Sequence, residues 1–172
     1  MYKFTFLADL HYYSKTLGTS GRAYELRSGS DQKCLAESGA IIDAAFDHLA
    51  RSDTQAVLLA GDLTNDGTLE QFRQLRCCLE GLYSRLPILA VTGNHDQMTE
   101  PYSNATSNSA YASFQSRLQR RAEQIGYHWY QDTSGAYSIQ IGCVEVIGLN
   151  IVVSPIRTAI QTQKRKITCK RT

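Results

Sequence analysis

Ala56-Val57-Leu58-Leu59-Ala60-Gly61-Asp62-Leu63-Thr64-Asn65-Asp66-Gly67 is a five-residue apolar run that ends abruptly in turn-forming and acidic residues. An apolar run of that length, bounded by turn residues, reads as a buried strand with polar groups just beyond its C-terminus. The layout recurs on either side: Phe4 to Ala8 precedes Asp9 and His11, and Ile88 to Val91 precedes Gly93-Asn94-His95-Asp96. Stretches of helical periodicity lie between and after the runs, so the expected architecture is α/β layering with neighbouring parallel strands.

Three helices are expected. The first carries Leu35, Ile42, Phe46 and Leu49 on one face, with Ser30 or Asp31 as N-cap. The second groups Leu69, Phe72, Leu75, Leu79 and Leu82 behind the turn Asn65-Asp66-Gly67 and a Thr68-x-x-Gln71 capping box. The third groups Tyr111, Phe114, Leu118 and Ile125 and ends at Gly126. From Tyr127 the period shortens. Tyr127 to Tyr130, Ala136 to Ile141 and Val144 to Leu149 read as an antiparallel meander that starts a second sheet.

Composition bounds the remainder. The chain has 172 residues, 42% hydrophobic and 20% charged, as in a globular protein of one domain or part of one. Its net charge of +2 is uneven: six of the 18 basic residues lie from Arg157 onward, where no acid occurs, leaving 12 bases against 16 acids before them. The body is therefore mildly acidic, without the broad positive surface of nucleic-acid binders. Residues 156–172 read as a solvated, disordered basic tail rather than a nucleic-acid arm. Five cysteines without C-x-x-C spacing fit a reducing compartment, and a cytoplasmic location without a signal peptide or membrane span is expected.

All three polar sets follow strands. In a parallel sheet those ends share one edge, where open α/β folds collect ligands. Residues two apart in extended chain point the same way, so Asp9 and His11 can reach one ion, and a strand about 4.8 Å away brings Asp62 alongside. A carboxylate on the middle strand can bridge two metals about 3.5–4 Å apart, and Asn94 adds a neutral oxygen. Gly61 and Gly93 precede ligands and let the backbone approach closely. Two cations lower the pKa of a shared water toward about 7 and offset phosphoryl charge, while an imidazole serves the leaving group. Oxygen and nitrogen ligands without thiolate suit Mn, Fe, Zn or Mg.

Singly, Asp9-x-His11 and Gly61-Asp62 have bland readings as turn and capping residues; the ordered set of three outweighs them. Asp9-x-His11, Gly61-Asp62 and Gly93-Asn94-His95-Asp96 resemble, in type, order and strand context, the first three motifs of calcineurin-like metallophosphoesterases. Gly61 to Gly67 is similar to the version in bacterial-type members related to cyclic-nucleotide phosphodiesterases.

The resemblance covers roughly residues 1–150 and implies an α/β/β/α sandwich that hydrolyses phosphate esters, as a phosphodiesterase or phosphatase. It implies two divalent metals, held by Asp9, His11, Asp62 and Asn94, with His95 assisting the leaving group and Asp96 orienting His95. Family members carry a further histidine and a Gly-His-x-His motif, whereas no histidine follows His128 here. Residues 1–155 are thus expected to be the N-terminal part of a truncated domain, with an incomplete second sheet whose exposed edge invites association. A catalytically silent fragment that binds at most one metal is the alternative.

Tyr12 and Tyr13 either line a substrate pocket beside His11 or cover the core. His48 reads as a helix C-terminal residue facing the dipole, His128 as a packed strand residue, and Cys77-Cys78 as a buried apolar pair.

Overall fold

The computed structural model describes residues 1–13, 15–30, 34–97, 106–132, 135–150 and 170–171. The apolar runs form strands β1 (Phe4–Leu7), β2 (Ala56–Ala60) and β3 (Ile88–Val91), which pair in parallel in the order β1-β2-β3. Phe4 lies opposite Ala56, and Val57 opposite Ile88, so all three strands finish on one edge. β2 is the middle strand, so Asp62 follows the central one of the three strand ends.

β2 explains why the domain is layered. Val57 and Leu59 join a core with Ile42, Phe46, Phe72, Leu75 and Leu79, whereas Ala56 and Leu58 join Trp129, Tyr137, Ile139 and Val146. Alternate residues of a strand face opposite sides, so an apolar run of this kind needs cover on both faces. Each fully buried Leu or Phe contributes roughly 1.5–3 kcal/mol, and neither face can be left in water. β1 departs from the expected buried strand: Phe6 is 56% exposed, because β1 pairs only with β2 among the described residues.

Three helices cover one face: α2 (Ser38–Ala50), α3 (Leu69–Tyr83) and α4 (Thr106–Gln124). α3 starts as its sequence indicates, with Thr68 in extended conformation accepting from the Gln71 N–H at 3.2 Å. Only half of the capping box forms, since the Gln71 side chain reaches Asp66 instead. Thr68→Ala is expected to cost about 1 kcal/mol. That corresponds to a fall of about 2–4 °C in the thermal midpoint, measurable by calorimetry. α4 ends at Gly126, where Tyr127 N–H bonds Ala122 C=O and Gly126 N–H bonds Glu123 C=O, the paired bonds of a Schellman motif.

α2 begins later than expected. Glu37 occupies its N-cap position without a side-chain bond, Ser30 closes a separate helix α1 (Arg22–Ser30), and Asp31 lies outside the described residues. α1 has no apolar stripe, so periodicity gave no sign of it.

The other face is covered by β4 (Trp129–Gln131), β5 (Tyr137–Ile141) and β6 (Val144–Gly148), an antiparallel meander. Trp129 and Tyr137 stack at 4.2 Å inside it. The Tyr137 hydroxyl donates to the Ala90 carbonyl at 2.8 Å, and Asn150 accepts from Thr92 N–H at 3.0 Å, tying the second sheet to β3. Helices, parallel sheet and antiparallel sheet are three layers of the expected calcineurin-like sandwich. Of the basic tail, only β7 (Lys170–Arg171) is described; it pairs antiparallel with β6. No described helix is long and apolar enough to cross a membrane.

Candidate metal and catalytic site

Beyond its last paired residues the parallel sheet continues as loop-to-loop hydrogen bonds. Asp9 N–H bonds Gly61 C=O at 3.1 Å, His11 N–H bonds Asp62 C=O at 2.9 Å, and Tyr12 N–H bonds Leu63 C=O at 3.0 Å. The first and second motifs are thus zipped together where the strands stop. Asp9, His11 and Asp62 have φ of 55°, 43° and 49°, and they are the only non-glycine residues with positive φ among the described residues. Left-handed backbone costs an L-residue roughly 1–2 kcal/mol. Strain of that kind concentrates where side-chain direction matters more than local stability.

The third motif closes over the second. A Cβ on Gly93 would stand 1.9 Å from Asp62 Oδ1 and 2.2 Å from Asp62 N, so only glycine admits this approach. Gly61, at φ 90°, supplies the turn before Asp62. In the 3₁₀ turn His95–Gln97, His95 N–H donates to Asp62 Oδ1 at 2.9 Å. The His11 and His95 rings meet edge to face, 4.6 Å between centroids.

His11, Asp62 and His95 are brought together from three strand ends, with one potential ligand atom of each lying within 4.8 Å of the others. Asp9, largely exposed, stands 3.9 Å from His11 Nε2. Asn94 is exposed at the same loop. Two imidazoles and a carboxylate, with no thiolate among them, fit a borderline or hard divalent cation.

Asp96 is placed differently from the expectation that it orients His95. Its carboxylate is fully buried and accepts four bonds: from Leu63 N at 3.0 Å, Thr64 N at 2.8 Å, Thr64 Oγ1 at 3.0 Å and Gly93 N at 2.9 Å. Burial pushes its carboxyl above the ordinary carboxylate range, against the pull of these hydrogen bonds. All four partners donate, so the pocket is completed by the ionised form. Asp96 therefore fastens the second motif to the third. The ring of His95 is held instead by a backbone group: its Nδ1 lies 2.9 Å from the Asn65 carbonyl. A carbonyl only accepts, so Nδ1 carries the proton and Nε2 is the ring's other nitrogen.

Tyr12 and Tyr13 cover the core. They are 7% and 3% exposed, and their hydroxyls donate to Gln74 Oε1 and the Gly18 carbonyl. Burial also pushes the Tyr12 phenol up to about 12, far from any acid–base role at neutral pH. A cleft of about 650 Å³ beside Asp9 and His11 is lined instead by Leu10, Leu35, Ile41 and Ile42. His48 and His128 are exposed, and Cys77 is exposed with Cys78 half-buried, so neither the packed strand histidine nor the buried cysteine pair is found. Sequence reading missed the Asn65 carbonyl, which has no side-chain signature, and the Gln71–Asp66 pair, whose sign was only a glutamine in the first turn of α3.

Fold and side chains define a class: layered α/β domains that gather metal-ligating groups at the C-terminal edge of a parallel sheet. This chain belongs to the calcineurin-like phosphoesterase family, whose model matches residues 2–155. None of the curated proteins matches it. The family assignment makes phosphate esters its substrate class, and His11, Asp62 and His95 form a possible metal site.

Proposed function

We propose that this protein hydrolyses phosphate esters, diesters or monoesters, in a reaction that requires divalent metal held by Asp9, His11, Asp62 and Asn94. The observation that carries the reading is the meeting of His11, Asp62 and His95 from three separate strand ends, with ligand atoms within 4.8 Å. Bound cations would supply Lewis acidity, activating water and offsetting charge on the phosphoryl oxygens. His95 is the general acid: as imidazolium it keeps its Nδ1–H on the Asn65 carbonyl and delivers its second proton, from Nε2, to the leaving oxygen, returning to the neutral Nδ1–H ring. The Asp62 carboxylate keeps the His95 backbone beside it through the His95 N–H bond.

Protein incubated with Mn²⁺ and a chromogenic phosphodiester is expected to turn over well above an Asp62→Asn control. Equal rates for the two proteins would sink the hydrolytic reading. The tight three-donor group also favours a second reading, a chain that binds one ion and remains silent. One equivalent of bound metal without turnover would select it.

A further inference from the structure

Gln71 lies in the first turn of α3 and is completely buried. A glutamine there ordinarily completes the capping box by reaching back to the N-cap N–H. Here its Oε1 accepts from Asp66 N at 2.9 Å and its Nε2 donates to Asp66 Oδ2 at 2.8 Å. The other Asp66 oxygen accepts from Asn65 Nδ2 at 3.0 Å, and Asn65 N–H donates to the Tyr12 carbonyl at 3.1 Å. The turn that carries the Asn65 carbonyl is therefore gripped from α3 on one side and from the first motif on the other. That carbonyl is the partner of His95 Nδ1. A helix that gives up its own local bond in this way is meeting a tertiary demand.

We infer that Gln71 is a positioning residue which, through Asp66 and the Asn65 carbonyl, locks the His95 ring in its Nδ1–H tautomer with Nε2 toward the site. Imidazole in water favours the opposite tautomer, so the lock has work to do. A fixed acceptor is required, because a carbonyl free to turn away would leave the ring to revert. The catalytic value of the lock rests on the hydrolytic reading above, but the lock itself does not.

The test is therefore made on the metal-free 172-residue chain without substrate, by ¹⁵N–¹H long-range correlation spectra of the neutral histidine rings. His95 is assigned by its loss in His95→Gln. Wild type is expected to show His95 as Nδ1–H. Gln71→Leu removes both bonds to Asp66. Gln71→Glu keeps the shape and sets a carboxylate oxygen against that of Asp66. Each is expected to lower the Nδ1–H to Nε2–H ratio by at least about fivefold, the ratio that one ordinary hydrogen bond sustains. If the leucine variant does not fold, the glutamate variant gives the reading. An Nε2–H ring in wild type, or an unchanged ratio in the folded variants, overturns the inference. Absence of turnover in wild type would remove the hydrolytic reading while leaving the tautomer result intact.

Discussion

Asp62→Asn is expected to reduce phosphoester hydrolysis at least about 100-fold while leaving the fold in place. Loss of a partner that merely orients a ligand costs 10–100-fold, and a proposed ligand on the middle strand is worth no less. The substitution is clean for two structural reasons. Asparagine tolerates the left-handed backbone at φ 49° as aspartate does, and its Oδ1 still accepts the His95 N–H. What disappears is the charge. Turnover with Mn²⁺, metal affinity by titration calorimetry and the thermal midpoint should therefore separate, the first two falling and the last moving by no more than about 3 °C. Wild-type turnover in this variant would take Asp62 out of the chemistry.

Asp96→Ala has the largest expected effect on stability. It leaves the amides of Leu63, Thr64 and Gly93 and the Thr64 hydroxyl facing a pocket without their acceptor. Each buried group left unmatched costs about 1–3 kcal/mol, and breaking a buried charged network typically costs about 3–5 kcal/mol. A domain has only about 5–15 kcal/mol to lose. Urea unfolding should show an unfolding free energy lowered by that amount, read as a lower midpoint at unchanged m, and the second and third motifs should come apart together. Asp96→Asn, which keeps one acceptor oxygen, should fall between. A loss below about 1 kcal/mol in the alanine variant would mean that the carboxylate does not hold the two loops.

Much of this was legible in one dimension because its causes are local. The apolar runs at Ala56–Ala60 and Ile88–Val91 are buried strands, since a strand covered on both faces has to be apolar throughout. The stripes of α2, α3 and α4 and the alternation of β5 record which side of each element faces a core. α1 was not legible, because a helix that buries no stripe has no periodicity to read. Tyr12 and Tyr13 were ambiguous for a similar reason: a loop aromatic next to a ligand has the same sequence signature whether it faces solvent or core. Their burial is decided by α2 and α3, where Ser38 accepts the Tyr13 N–H and Gln74 accepts the Tyr12 hydroxyl.

The sequence by itself determined the order of the strands along the chain, the polar sets at their ends and the family those sets resemble. Which groups within the sets act on one another was decided only by the tertiary structure. His95 and Asp96 are neighbours in sequence, and that adjacency suggested a pair. They sit on a 3₁₀ turn, however, where consecutive side chains point well apart. One therefore turns toward His11 and Asp62. The other turns inward to the amides of two loops, while the acceptor for the histidine comes from a backbone carbonyl thirty residues earlier.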